Sequence, residues 1–153
     1  MNKTLITYFS ASGVTASVAE ELAKTLEADL HEIVPVQRYT DSDLNWMDKK
    51  SRSTLEMTDY ESRPEIVPDG FDVSSYDRIL IGFPIWWYVE PRIIDTFLER
   101  YDFSGKTMIP FATSGSSGIE KAQLRLKEIC PDANWKPGKR LTRSNAAKWA
   151  NSL

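Results

Sequence analysis

Apolar positions run along this chain in two alternating rhythms. Residues 5–9 (LITYF) are apolar or β-branched on both faces, which predicts a strand in the middle of a parallel sheet. From Val14 the spacing lengthens. Val14, Val18, Leu22 and Leu26 recur every fourth position beside Ala19 and Ala23, while Glu20, Glu21, Lys24 and Thr25 fall opposite, the pattern of an amphipathic helix. Residues 30–34 predict a short second strand stopped by Pro35, residues 77–83 (DRILIGF) a third and residues 106–114 (KTMIPFATS) a fourth. A helix opens near Pro91, where proline suits the first turn, and turns Ile94, Phe97, Leu98 and Tyr101 inward. Residues 117–130 predict another, with Ser117 and Glu120 at capping-box spacing and Ile119, Ala122, Leu126 and Ile129 on its inner stripe. Residues 135–141 make a weak fifth strand whose Pro137 and Gly138 suit an edge, and a last short helix starts near Ser144.

Five strands alternating with helices predict an α/β fold: a doubly wound, five-stranded parallel sheet covered by helices on both faces, a three-layer sandwich. Right-handed crossovers leave few topologies. The length suits a single domain over residues 1–153. The stretch 35–76 is too long to be structureless in a compact domain. Within it, residues 41–50 (DSDLNWMDKK) predict a helical turn or two with Leu44 and Met47 or Trp46 packed inward, and residues 51–70 read as a polar, mobile lid.

Composition narrows the chemistry. Apolar content of 41% and charge of 27% are ordinary for a globular protein. No apolar run approaches the roughly 20 residues of a membrane span, and the N-terminus lacks the pattern of a signal peptide. A single cysteine and a single histidine argue against a disulfide framework and against a zinc site, and the expected location is cytoplasmic. A net charge of −3 argues against nucleic acid as a partner.

The chemistry concentrates where the first strand becomes the first helix. Ser10, Ser12, Gly13 and Thr15 place hydroxyls and a permissive glycine at a helix start, with no Lys or Arg among them. Unpaired first-turn amides and the helix dipole favour an anion there, so the expected guest is a phosphate held by hydrogen bonds alone. A Walker loop, a three-glycine dinucleotide fingerprint, a cysteine-phosphatase loop and an acidic phosphoacceptor site are all missing from this position, which leaves a mononucleotide phosphate loop. In doubly wound sheets the ligand lies beyond the carboxyl ends of the strands. The segment leaving the third strand (FPIWWYVEP) sets Trp86, Trp87 and Tyr88 there, suited to stacking on a flat heteroaromatic ring. The segment leaving the fourth (ATSGSSG) offers small residues whose amides can reach ring atoms.

On these three segments the chain resembles the flavodoxin-like family, in particular its short members with PIWW after the third strand and TSGxSG after the fourth; DLNW and Ser51–Arg52 extend the likeness over most of the length. The resemblance implies strand order 2-1-3-4-5, the arrangement for which flavodoxin itself is the standard example, and FMN at the switch point. It implies that Ser10, Ser12, Gly13, Val14 and Thr15 hold the FMN phosphate. Pro84, Ile85, Trp86, Trp87 and Tyr88 would line one side of the isoalloxazine, and Thr113, Ser114, Gly115, Ser116 and Gly118 the other. In the family's usual Thr/Ser-Gly-Asn-Thr loop, Val14 stands at the asparagine position; one lost polar contact is worth about 1 kcal/mol, roughly fivefold to tenfold in affinity. With no adenylate-binding domain in view, FMN is expected rather than FAD.

The expected function is that of an FMN-binding redox protein, either an electron-transfer flavoprotein or a small FMN-dependent reductase, with no protein side chain as catalyst. It would exchange electrons with a redox partner protein or a small molecule, as monomer or homodimer, away from membranes. The alternative is a flavodoxin-fold interaction module that has lost its flavin. Outside these segments, His31 reads as a surface residue on an edge strand, Cys130 as a half-buried thiol without a redox task, and Tyr60 and Glu61 as solvated loop residues. Trp135 and Trp149 are expected to pack the C-terminal helix.

Overall fold

The computed structural model describes residues 3–114 and 117–153. Six strands and five helices follow one another along them: β1 (Thr4–Tyr8), α1 (Val14–Leu26), β2 (Asp29–Glu32), α2 (Arg52–Met57), β3 (Arg78–Pro84), α3 (Arg92–Arg100), β4 (Thr107–Thr113), α4 (Glu120–Ile129), β5 (Asn134–Trp135), β6 (Lys139–Arg140) and α5 (Arg143–Asn151). All pairings are parallel and the order is β2-β1-β3-β4-β5, with β6 also on β4. This is the predicted doubly wound sandwich.

Alternation along the central strands divides the core in two. Leu5, Ile79, Ile81, Phe83 and Met108 face α3 and α4, where Ile93, Ile94, Phe97, Ala122 and Leu126 meet them. Ile6, Tyr8, Leu80, Ile109 and Phe111 face α1 and α5 through Val18, Leu22, Ala146 and Ala150. Gly82 is required by this packing: the Phe111 ring from β4 occupies the space a Cβ would take. No helix among the described residues is long and apolar enough to cross a membrane.

Several expectations are corrected. The fifth strand breaks into β5 and β6, because Pro137 has no N–H to give the ladder and the Gly138 amide turns to the Gln123 side chain. Hydrogen bonds from Lys136 N to Met108 O and from Leu141 N to Ala112 O, at 2.9 and 2.7 Å, resume the pairing on either side. Helix α4 starts at Glu120 without a side-chain cap, so Ser117 and Glu120 form no capping box; the Ser117 amide donates to the Ser114 hydroxyl instead. Asn145 takes that role at α5, accepting from the Thr142 amide at 2.7 Å.

Residues 41–50 form turns rather than helix, with Trp46 and Met47 exposed and Leu44 half-buried. The helix comes later, as α2, capped where the Ser51 hydroxyl accepts from the Thr54 amide. The expected lid is fastened down. Ser53, Thr54, Met57 and Ile66 are buried, and Ile66 bridges Pro35. The buried Arg92 guanidinium donates to the carbonyls of Glu56, Met57 and Asp59 at 3.1–3.3 Å, closing the C-terminal end of α2 with a cation.

His31 is no bland surface residue. Its ring stacks on Phe71 at 3.9 Å and bridges the Thr7 hydroxyl, at 2.9 Å, and the Asp69 carboxylate, at 2.8 Å. Trp135 packs on the α3–α4 side and donates to the Cys130 carbonyl, so of the two tryptophans only Trp149 joins the face that α5 covers. Cys130 is half-buried, and that burial pushes its thiol pKa up. Tyr60 is exposed, yet its ring lies 4.9 Å from both the Arg92 and Arg125 guanidinium groups.

Candidate functional site

The loops that leave β1, β3 and β4 meet at the carboxyl edge of the sheet. In the first, Gly13 adopts a φ of 95°, a left-handed conformation that glycine takes without strain, and its amide donates to the Ser10 hydroxyl oxygen at 3.0 Å. Among the described residues no side chain caps α1, whose first-turn amides have no partner within the helix. Thr15 turns inward, and its hydroxyl pairs with that of Thr113 at 2.7 Å. This buried bond ties the start of α1 to the end of β4.

The β3–α3 loop closes by a tight hairpin. Ile85 N donates to Thr113 O at 2.9 Å, and Trp86 and Val89 exchange backbone bonds of 2.9 and 3.1 Å. Between them Trp87 and Tyr88 both have positive φ, 49° and 73°. Such turns favour Asn-Gly, and a left-handed conformation costs an ordinary L-residue roughly 1–2 kcal/mol. Two large aromatics held there are a strained feature at the edge of a cleft.

That cleft, about 480 Å³, is bounded by Ile85, Trp86 and Trp87 on one side and by Ser114 and Ser117 on another. Leu44, Trp46, Ser53 and Met57 complete its wall. Trp86 is fixed edge-on against Tyr39 at 5.3 Å and Phe9 at 5.9 Å. The Arg52 guanidinium lies 3.8 Å over the Tyr39 ring and bonds Glu56 at 2.9 Å, while the Tyr39 hydroxyl donates to the same carboxylate. Burial, reinforced by Glu56, pushes the Tyr39 pKa well above the usual phenol range, so the ring stays neutral. Among the described residues no charged side chain lines the cleft.

Of the predicted residues, Ile85, Trp86, Trp87 and Ser114 therefore line one cleft. Pro84 ends β3 in register with Thr113, and Tyr88 is exposed, with the Lys121 ammonium 4.9 Å from its ring. Ser10, Ser12, Gly13, Val14 and Thr15 adjoin the cleft through the Thr15–Thr113 bond rather than line it. Gly118 borders a neighbouring hollow. Gly115 and Ser116 lie outside the described residues. Sequence reasoning missed Leu44, Ser53, Met57 and Ser117 as wall residues and expected Trp46 or Met47 inside the core. The available signal was a tryptophan in a run as polar as DSDLNWMDKK.

Behind the hairpin stands a buried charge cluster. Glu90 Oε2 accepts from Arg125 Nε at 3.1 Å, and Asp95 Oδ2 lies 3.0 Å from Arg125 and 3.6 Å from Arg92. Glu90 Oε1, Asp95 Oδ1 and Arg92 Nη1 are buried without a hydrogen-bond partner among the described residues. Burial and then the neighbouring Asp95 carboxylate raise the Glu90 pKa to about 9, so Glu90 holds a proton at neutral pH.

A family profile described as flavodoxin matches residues 3–153. The chain belongs to the flavodoxin family. Among solved structures, this flavodoxin-family chain is similar to a protein assigned as a flavoprotein from Bacteroides uniformis, at 47% identity and a TM-score of 0.94 over 98% of both chains. A second, from Bacteroides eggerthii, shares 44% identity with a TM-score of 0.93 over 100% of this chain and 98% of that one. A flavoprotein from Lactobacillus acidophilus, solved in complex with FMN, shares 26% identity with a TM-score of 0.75 over 98% of this chain and 99% of that one. No match was found among curated proteins.

Proposed function

We propose that this flavodoxin-family chain binds FMN and serves as a small redox flavoprotein, passing electrons to or from a partner protein or small molecule in the cytoplasm. The observation that carries the reading is the junction at Thr15–Thr113, where an uncharged loop of hydroxyls and uncapped amides meets an aromatic cleft of ring-binding size. The donor set fits the group at both ends. Ser10, Ser12, Gly13, Val14 and Thr15 would hold a phosphate monoester with no carboxylate among them. Trp86, Trp87, Ile85 and Met57 would bury a planar ring, with Pro84 and Tyr88 supporting the hairpin and Ser114 and Ser117 lining the same cleft. The FMN complex of the Lactobacillus acidophilus relative supports the same choice of cofactor.

Bound FMN would supply one- and two-electron chemistry. The protein's part is to place the ring and exclude water, and among the described residues the cleft wall offers no cation to stabilise added negative charge. Fluorimetric titration of the purified chain with FMN tests the reading: saturable quenching at one equivalent is expected, and undiminished FMN fluorescence refutes it. Val14, exposed at the position where the family usually has asparagine, favours one other reading, an interaction module without flavin. Replacing Trp86 and Trp87 separates the two, since only a cofactor site would lose FMN affinity.

A further inference from the structure

The charges of this protein are unevenly divided. Residues 133–153 carry five cations, Lys136, Lys139, Arg140, Arg143 and Lys148, and no carboxylate. The rest of the chain holds all 22 acidic residues against the other 14 basic ones, a net −8. All five cations are exposed, and among the described residues none forms an ion pair. In a molecule with an excess of carboxylates, an unneutralised row of this kind leaves a local positive field facing solvent.

The fold sets this row beside the candidate cofactor site. Strand β6 is pinned in register to the last part of β4, Lys139 opposite Phe111 and Arg140 opposite Ala112, and the next β4 residue is Thr113. Lys139 and Asn145 are shared by two adjoining open hollows. One, of about 510 Å³, runs to Arg140 and Gly118, with Glu120 on its lip; the other, of about 380 Å³, has Trp149 and Lys148 in its wall. Hollows flanked by cations can receive carboxylate side chains, and an adjacent indole adds apolar contact area.

We infer that the edge formed by β6 and the start of α5 is a docking surface for an acidic protein, one whose negative face is steered to the carboxyl end of the sheet where the cofactor cleft opens. Charge complementarity identifies the occupant: net −8 elsewhere on the chain disfavours any other approach by such a partner, and attraction to the row orients it. The surface stands on charge and position alone; only its use in delivering electrons rests on the FMN reading.

The test uses the full chain, as purified and again after FMN addition, with an acidic [2Fe–2S] ferredoxin as probe and a basic cytochrome c of similar size as the opposite charge control. Isothermal titration and amide chemical-shift mapping are read together. The expected result is saturable ferredoxin binding with shifts confined to residues 136–148 and their neighbours. Affinity should fall about tenfold between about 50 and about 300 mM salt. A K139E/R140E/R143E variant, and a milder K139Q/R140Q variant that keeps the melting temperature, should both weaken binding, whereas K49E/K50E should not. Shifts centred elsewhere, salt-insensitive binding, tighter binding of a short DNA duplex than of ferredoxin, or salt-sensitive self-association that accounts for the shifts would each overturn the proposal. A chain that binds no FMN yet docks ferredoxin at this edge would overturn only the cofactor reading.

Discussion

Replacing Glu90 by glutamine tests the buried charge cluster directly. In the folded protein the Glu90 carboxyl is fully buried, touches Arg125 through one oxygen and leaves the other unpartnered beside Asp95. Its pKa rises from 4.5 to about 9, first through burial and then through Asp95. Between those values the folded chain holds a proton that the unfolded chain has released. The associated stability is therefore complete below pH 4.5 and is lost as pH climbs through 9, at up to about 1.4 kcal/mol per pH unit. Glutamine has nearly the same shape, can still accept from Arg125, and never ionises. From pH 6 to pH 8 the native protein should lose up to about 2.7 kcal/mol more stability than Glu90→Gln. Urea unfolding followed by tryptophan fluorescence at several pH values measures this. Parallel stability–pH curves for the two would show that Glu90 is ionised in the fold and refute the reasoning.

Replacing Trp87 and Tyr88 by Asn-Gly should relieve the left-handed strain and stabilise the fold by about 1–2 kcal/mol while weakening FMN binding; thermal unfolding and fluorimetric titration report the two effects separately. Val14→Asn should tighten FMN roughly fivefold to tenfold by restoring a polar contact at the phosphate end, as read from the same titration. At Asp69, burial opposes ionisation, but the hydrogen bonds from His31 and the Phe71 amide prevail and hold its pKa below the usual carboxylate value. That stabilisation is present above the unfolded-state pKa and lost as pH falls through the folded one, so Asp69→Asn should flatten the loss of stability below about pH 4, seen in acid unfolding by circular dichroism.

What was legible in the sequence was whatever local rhythm decides. The four long strands and the helices at 14–26, 92–100 and 120–129 follow from apolar spacing, and the parallel sheet follows from their alternation, whereas the strand order was legible only through the family resemblance. The strand near Trp135 failed because backbone donors, not side-chain pattern, set its continuity at Pro137. Residues 41–57 failed for another reason. Trp46 and Met47 resemble core residues by type, but their environment is a cleft rather than a core, and α2 is held by Arg92 from 35 residues downstream. The aromatic and hydroxyl segments of the site could be named from the chain because each leaves a strand end. Leu44, Ser53 and Met57 could not, since only tertiary structure carries them to the same wall. His31 was misread because its partners, Thr7 and Asp69, stand 24 and 38 positions away.

The paired hydroxyls of Thr15 and Thr113 have one more consequence. Only one hydrogen can lie between the two oxygens, and either residue can supply it. When Thr15 gives its own hydrogen to an acceptor outside, Thr113 must provide the shared one and is left able only to accept. The two hydroxyls therefore cannot both donate outside their own pair: a direction set at the start of α1 fixes the one at the end of β4, with no backbone movement.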